Sequence, residues 1–104
     1  MLDVKIWLQS TGLPVEFVAF EKPPQLPYVV ILEDQSVFGA DECNLIVTRS
    51  LTIELYSRTS ISSAENDLEL LFNQKSVEYS KSTMWLPNER CYMVVYNFEI
   101  TERK

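Results

Sequence analysis

Apolar residues recur along the chain with two different spacings, and each spacing predicts an element. Over residues 2–11 the spacing is helical. Leu2, Ile6 and Gln9 fall along one stripe, with Val4, Trp7 and Leu8 beside it, broad enough for a helix laid on a sheet. Asp3 sits in the first turn, where a carboxylate suits the helix dipole; Gly12 reads as the C′ residue and Pro14 as the stop. Val15–Phe20 is β-branched and aromatic and predicts a short strand. Three prolines within residues 23–27 then force an extended connector. Tyr28–Leu32 is a continuous apolar run bounded by Pro27 and Glu33, the pattern of a strand buried on both faces.

Residues 33–45 read as a loop or a long hairpin tip, bent at Gly39, with Phe38 exposed or half-exposed beside it. Strict alternation returns over Ile46–Arg58. Val47, Leu51, Ile53 and Leu55 point one way, and Thr48, Ser50, Thr52 and Glu54 the other. Ser62 and Glu65 make a capping box, after which Ala64, Leu68, Leu71 and Phe72 form one helical stripe ending near Gln74. Asn66, Glu69 and Asn73 belong to the opposite face. Val77–Leu86 and Cys91–Thr101 predict a hairpin around Pro87–Arg90, with Tyr92, Val94, Tyr96, Phe98 and Ile100 on one face. The tail from Glu102 to Lys104 is expected to fray. This order predicts an α+β fold in two layers: a mixed, mostly antiparallel sheet of four to five strands with two helices packed on one face. The other sheet face is left to solvent or to another subunit. The long strand outruns any helix of about 13 residues, so part of it projects; with residues 33–45 it makes either an arm or a mobile loop.

Composition sharpens this picture mainly by exclusion. At 104 residues, with 46% apolar and 23% charged positions, the chain suits one domain spanning 1–104. Nine basic against fifteen acidic residues leave a net charge of −6, which disfavours nucleic-acid binding through a basic face. Glu33, Asp34, Asp41 and Glu42 lie in the long stretch without a base; they read as a solvated loop, since a cation loop needs alternating oxygen ligands and a glycine at the bend. Histidine is absent, which removes the usual general base and metal ligand. Cys43 and Cys91 lack metal or redox spacing and read as free thiols. The two glycines stand far apart and cannot form a phosphate-cradling loop. No run is apolar enough for a secretory leader or a membrane span. Neither an enzyme, nor a cofactor, nor a metal is expected. Trp85, beside the Pro87 turn, reads equally as a cap on the core or as an interface anchor.

One ordered set of motifs carries a resemblance. Leu26-Pro27-Tyr28-Val29-Val30-Ile31-Leu32 runs into Phe38-Gly39-Ala40-Asp41, and Ile53-Glu54-Leu55-Tyr56-Ser57 precedes the capped helix. Val77-Glu78-Tyr79-Ser80-Lys81 and the closing Tyr92–Ile100 strand follow. This order resembles the small tail-terminator, or tail-completion, proteins of long-tailed bacteriophages and prophages, over most of residues 15–101. The resemblance implies a structural virion subunit that forms a homo-oligomeric, hexameric ring on the tail tube. That ring ends tube polymerisation and presents a surface to a head-completion or connector protein. It implies no sequence-specific nucleic-acid or membrane partner, and a place in the host cytoplasm during assembly and in the mature virion afterwards. Phe38, Asp41, Glu42 and Trp85 are the candidate contacts with a neighbouring subunit or the tube. A different neck protein, a small inhibitor or adaptor that binds through a sheet edge, and a small-ligand-binding domain are the competing expectations.

Overall fold

A computed structural model of the chain describes residues 1–39, 46–59 and 62–103. Its elements are α1 (Val4–Gln9), β1 (Val15–Phe17), β2 (Tyr28–Phe38), β3 (Ile46–Ser57), α2 (Ser63–Gln74), β4 (Ser80–Leu86) and β5 (Cys91–Arg103). The strands form one sheet in the order β1-β2-β3-β5-β4. β1 lies parallel to β2, and every other pair is antiparallel. The fold is therefore the expected α+β arrangement, with five strands and a mixed sheet.

Period-2 alternation decides which side of the sheet is core. Val29 and Ile31 of β2, Leu51, Ile53 and Leu55 of β3, and Val94, Tyr96 and Phe98 of β5 face the same way. Val4 and Leu8 of α1 and Ala64, Leu68 and Phe72 of α2 close over them in one continuous core. Phe72 is the central wedge. Its ring meets those of Trp7, Tyr79, Tyr96 and Phe98 at centroid distances of 5.1–5.7 Å, the tilted and edge-on contacts that aromatic quadrupoles favour.

Both helix starts are capped by side chains. Ser62 accepts from the Glu65 amide while Glu65 reaches back to the Ser62 amide, so the predicted box is complete. Asp3 is not in the first turn of α1 but is its N-cap, accepting from the Ile6 amide at 3.1 Å. The predicted helix over 2–11 thus shrinks to six residues. Ile6, expected on the inner stripe, points outward at 64% exposure, because Val4 and Leu8 already occupy the inner face one turn apart. Gly12 follows the helix with φ +88° but is the C″ residue rather than the expected C′, since Ser10 is the C-cap.

Other predicted boundaries move for identifiable reasons. Val18 takes φ +67°, which ends β1 at Phe17 rather than Phe20. Residues 33–38 are not loop: they continue β2, paired from Glu33 opposite Leu51 to Phe38 opposite Ile46. β4 begins at Ser80 instead of Val77, because α2 ends in a Schellman turn. Ser76 (φ +54°) donates to the Asn73 carbonyl at 3.0 Å, and Val77 donates to that of Phe72 at 3.0 Å. Val77 and Tyr79 then pack on the core. β5 does not fray after Thr101; it stays paired with β3 as far as Arg103. The helix-free face is also not wholly bare. Residues 18–23 fold over one end of it, where Phe20 meets Tyr28 at 5.2 Å and Tyr28 stacks on Tyr56 at 5.0 Å.

Two measurements check this account. Phe72→Ala is expected to cost about 3–5 kcal/mol, read as a lower urea midpoint. Ser76→Gly removes a left-handed residue with a Cβ and is expected to raise stability by about 0.5–1 kcal/mol in the same assay.

Candidate functional site: a projecting three-stranded arm

The twelve residues of α2 span about 18 Å, whereas the twelve of β3 span about 40 Å. The sheet therefore runs on past the helices, and the molecule is elongated, 49 × 28 × 22 Å. The part beyond α2 is three strands wide, Glu33–Phe38 of β2, Ile46–Ser50 of β3 and Glu99–Arg103 of β5, and is rooted on Leu51 and Phe98 in the core.

A charge cluster holds its root. Arg49 falls on the apolar register of β3, between Val47 and Leu51, and is 5% exposed. Its guanidinium donates to both Glu33 oxygens, through Nε at 2.7 Å and Nη2 at 2.9 Å. Nη1 donates to Glu102 Oε1 and to the Leu2 carbonyl, each at 2.7 Å. The second Glu102 oxygen accepts from the Leu2 amide at 3.0 Å. Three strands and the segment before α1 are thus tied to one cation in bidentate, charge-assisted geometry. The Arg49 hydrogen bonds hold the Glu33 carboxyl below its ordinary value, against the opposing effect of burial. Burial pushes Glu102 up, but Arg49 and the Leu2 amide outweigh it and leave it lowered. Glu33 raises Arg49 further above its usual value, against burial, with help from Glu102.

A second cluster fastens α2 to the sheet. Tyr96 and Tyr79 donate to Glu69 at 2.8 and 3.3 Å, and Lys81 bridges Glu69 at 2.7 Å and Glu65 at 3.0 Å. Glu69, expected on the outer helix face, instead turns toward β4 and β5. Burial pushes the Tyr96 hydroxyl far up, and the Glu69 carboxylate pushes it further. Every buried polar side-chain atom among the described residues has a partner. These carboxylates are therefore paired with internal cations, hydroxyls and backbone amides. Among the described residues no group of three or more His, Cys, Asp or Glu side chains could hold a metal ion. Cys91 is a buried free thiol whose pKa is raised, first by burial and then by Glu89.

Of the four candidate contact residues, the two that are described, Phe38 and Trp85, stand apart. Phe38 ends β2 at the arm's tip and is 57% exposed. Trp85 is 48% exposed on β4, edge-on to Tyr92 at 4.9 Å, and Tyr92 is the partner of Ser57 at the other end of β3. Asp41, Glu42 and Cys43 lie outside the described residues. Sequence reasoning missed Arg49, Glu33 and Glu102. The available signal was parity, which places all three on the apolar face of adjacent strands.

Among the described residues the arm has two unpaired edges. β1 covers only Val29–Ile31 of β2, and β4 covers only Cys91–Asn97 of β5. Among the described residues no strand pairs with the outer edge of 32–38 or that of 98–103. Beside the second edge lies an open groove of about 770 Å³, walled by Leu2 and the segment Lys75–Glu78 and floored by Phe98, Ile100 and Glu102.

No family model matches the chain, and no curated protein matches it. Among solved structures, the chain is similar to a chain of the virion of a native gene transfer agent particle. That likeness has a TM-score of 0.62 at 11% identity, over 93% of this chain and 84% of the other. At this identity the likeness establishes a shared fold.

Removing the cation at the arm's root has a signed consequence. Glu33 and Glu102 are lowered from 4.5, so the stability they contribute is fully present above that value and is lost as pH falls through their folded values. Arg49→Met strands both carboxylates and is expected to cost about 3 kcal/mol at neutral pH. The deficit should shrink on acidification below the ordinary carboxylate range, as read by urea unfolding at two pH values.

Proposed function

We propose that this chain is a structural protein of a phage or phage-like virion, and specifically a tail terminator. In this reading it forms a hexameric ring that caps the tail tube, ends its polymerisation and faces the head-completion or connector protein. It is made in the host cytoplasm and carried in the mature virion. The observation that carries the reading is the fold likeness over nearly the whole chain to a component of a virion particle, taken with the order of motifs that resembles the terminator family.

Three features support it. The polar clusters are closed on themselves, which suits a protein that acts through its surfaces rather than by catalysis. The projecting arm offers contact area beyond the body. Across β2, β3 and β5 the helix-free face carries Asp34, Glu54 and Glu99 against Arg103 alone among its charged positions. A channel lined by such a face repels phosphate and lets DNA pass without holding it.

The test is native mass measurement and electron microscopy of the protein alone and mixed with purified tail-tube protein. Six-membered rings, and tubes of uniform length capped by them, are the expected result. A protein that stays monomeric and leaves tube growth unaltered would overturn the reading. Binding to a portal or connector protein without any effect on tubes would move it to another neck position.

A further inference from the structure

The ring reading leaves open how neighbours join, and the arm's two bare edges bear on that question. They lie on opposite sides of the same three-stranded ribbon and are nearly equal in length: Leu32–Phe38 on β2 and Phe98–Arg103 on β5. An unpaired, partly apolar edge templates pairing with another chain, and proteins normally blunt such edges with lysine, proline or short strands. The outer edges of this sheet are blunted in that way. β1 is three residues long and is followed by Val18 at φ +67° and a proline-rich segment, and β4 carries Lys81. The two arm edges contain neither lysine nor proline; of their five charges Glu33 and Glu102 are bound by Arg49, and Asp34, Glu99 and Arg103 lie on the helix-free face. Val37 and Phe38 on β2 are 52% and 57% exposed.

We propose that the β2 edge Leu32–Phe38 of one copy pairs with the β5 edge Phe98–Arg103 of the next, joining the arms into a continuous sheet. This rests on the ring reading and specifies its interface. The occupant is a second copy because one chain carries both halves of a matched, heterologous joint, which closes on itself by rotation. Its strand direction follows from the topology. β2 and β5 are each antiparallel to β3 and so run parallel to one another within a copy. A rotation of a sixth of a turn cannot reverse a strand, so the joint is a parallel pair. The groove beside β5 receives the helix-side residues of the incoming strand. Val37 lies on that side, in the same register as Ile31 and Val29, and enters the apolar part formed by Leu2, Val77, Phe98 and Ile100.

The test uses the full chain with Cys43→Ser and Cys91→Ala as background. Ile100→Cys is combined with Gln35→Cys or with Val37→Cys, so that a small difference in register is covered. Within one copy β3 separates the two positions by about 10 Å, too far for a disulfide. Bonds form only between copies, and a ladder ending at the ring size is expected on oxidation. In parallel, Val37→Lys places a blunting charge on the edge. It should leave the monomer's circular dichroism and melting unchanged while raising the concentration for half-assembly on the order of 10-fold or more. Wild-type rings without cross-links, together with normal rings from Val37→Lys, would overturn the edge pairing and leave the ring reading intact. Cross-linked dimers that grow no further would overturn the closed head-to-tail joint. No wild-type oligomer with or without tail-tube protein would overturn both.

Discussion

The ladder between β3 and β5, paired residue for residue from Ile46–Arg103 to Ser57–Tyr92, is the constraint on which the rest of the molecule depends. It brings residues about half the chain apart into register. Because side chains alternate, that register decides the whole core at once. Leu51, Ile53 and Leu55 meet Phe98, Tyr96 and Val94 on one face, and Phe72 wedges α2 against the rings so assembled. A slip of one residue would turn these side chains to the opposite face and bring Thr52, Glu54 and Asn97 inward.

The same ladder explains the placement of charge. Arg49 is buried because it shares parity with Leu51. It is tolerated there because Glu33 on β2 and Glu102 on β5 share that parity and reach it from both sides. A buried cation without such partners would be strongly unfavourable. With them, the cluster ties the three strands at the arm's root to the segment before α1 and holds the β5 tail, polar in sequence, at Glu102. The Glu65, Glu69 and Lys81 cluster does the same for α2 at the other flank. Polar groups therefore position the layers, while the apolar core supplies the cohesion.

Among the described residues, the arm's two edges are strand edges that no other strand of the body covers. The short β1 and the late start of β4 are what leave those edges open. Val18 ends β1, and the Schellman turn at Ser76 sends Val77 and Tyr79 into the core before β4 can begin. Local backbone geometry at two residues thus sets how much of the sheet remains available to a neighbour.

Much of this was legible in the residues themselves. The capping box at Ser62 and Glu65, the stripe Ala64–Phe72 and the alternation of Val47–Leu55 are local patterns, and each fixes an element because the period of its side chains must match a buried face. The extension of β2 through Glu33–Phe38 was legible only as one of two readings, hairpin or loop, since a polar run becomes strand only when a partner strand satisfies its backbone. The roles of Arg49, Glu102 and Glu69 were hidden for a related reason: a charge reads as solvated until its partners arrive from distant positions. Phe38 was read as exposed or half-exposed and Trp85 equally as core cap or interface anchor; the structure leaves both exposed, and only the sheet register shows that they stand at opposite ends of the sheet. Local periodicity determined which segments would be helix or strand; long-range pairing decided where they end, which charges are buried and which edges are left open.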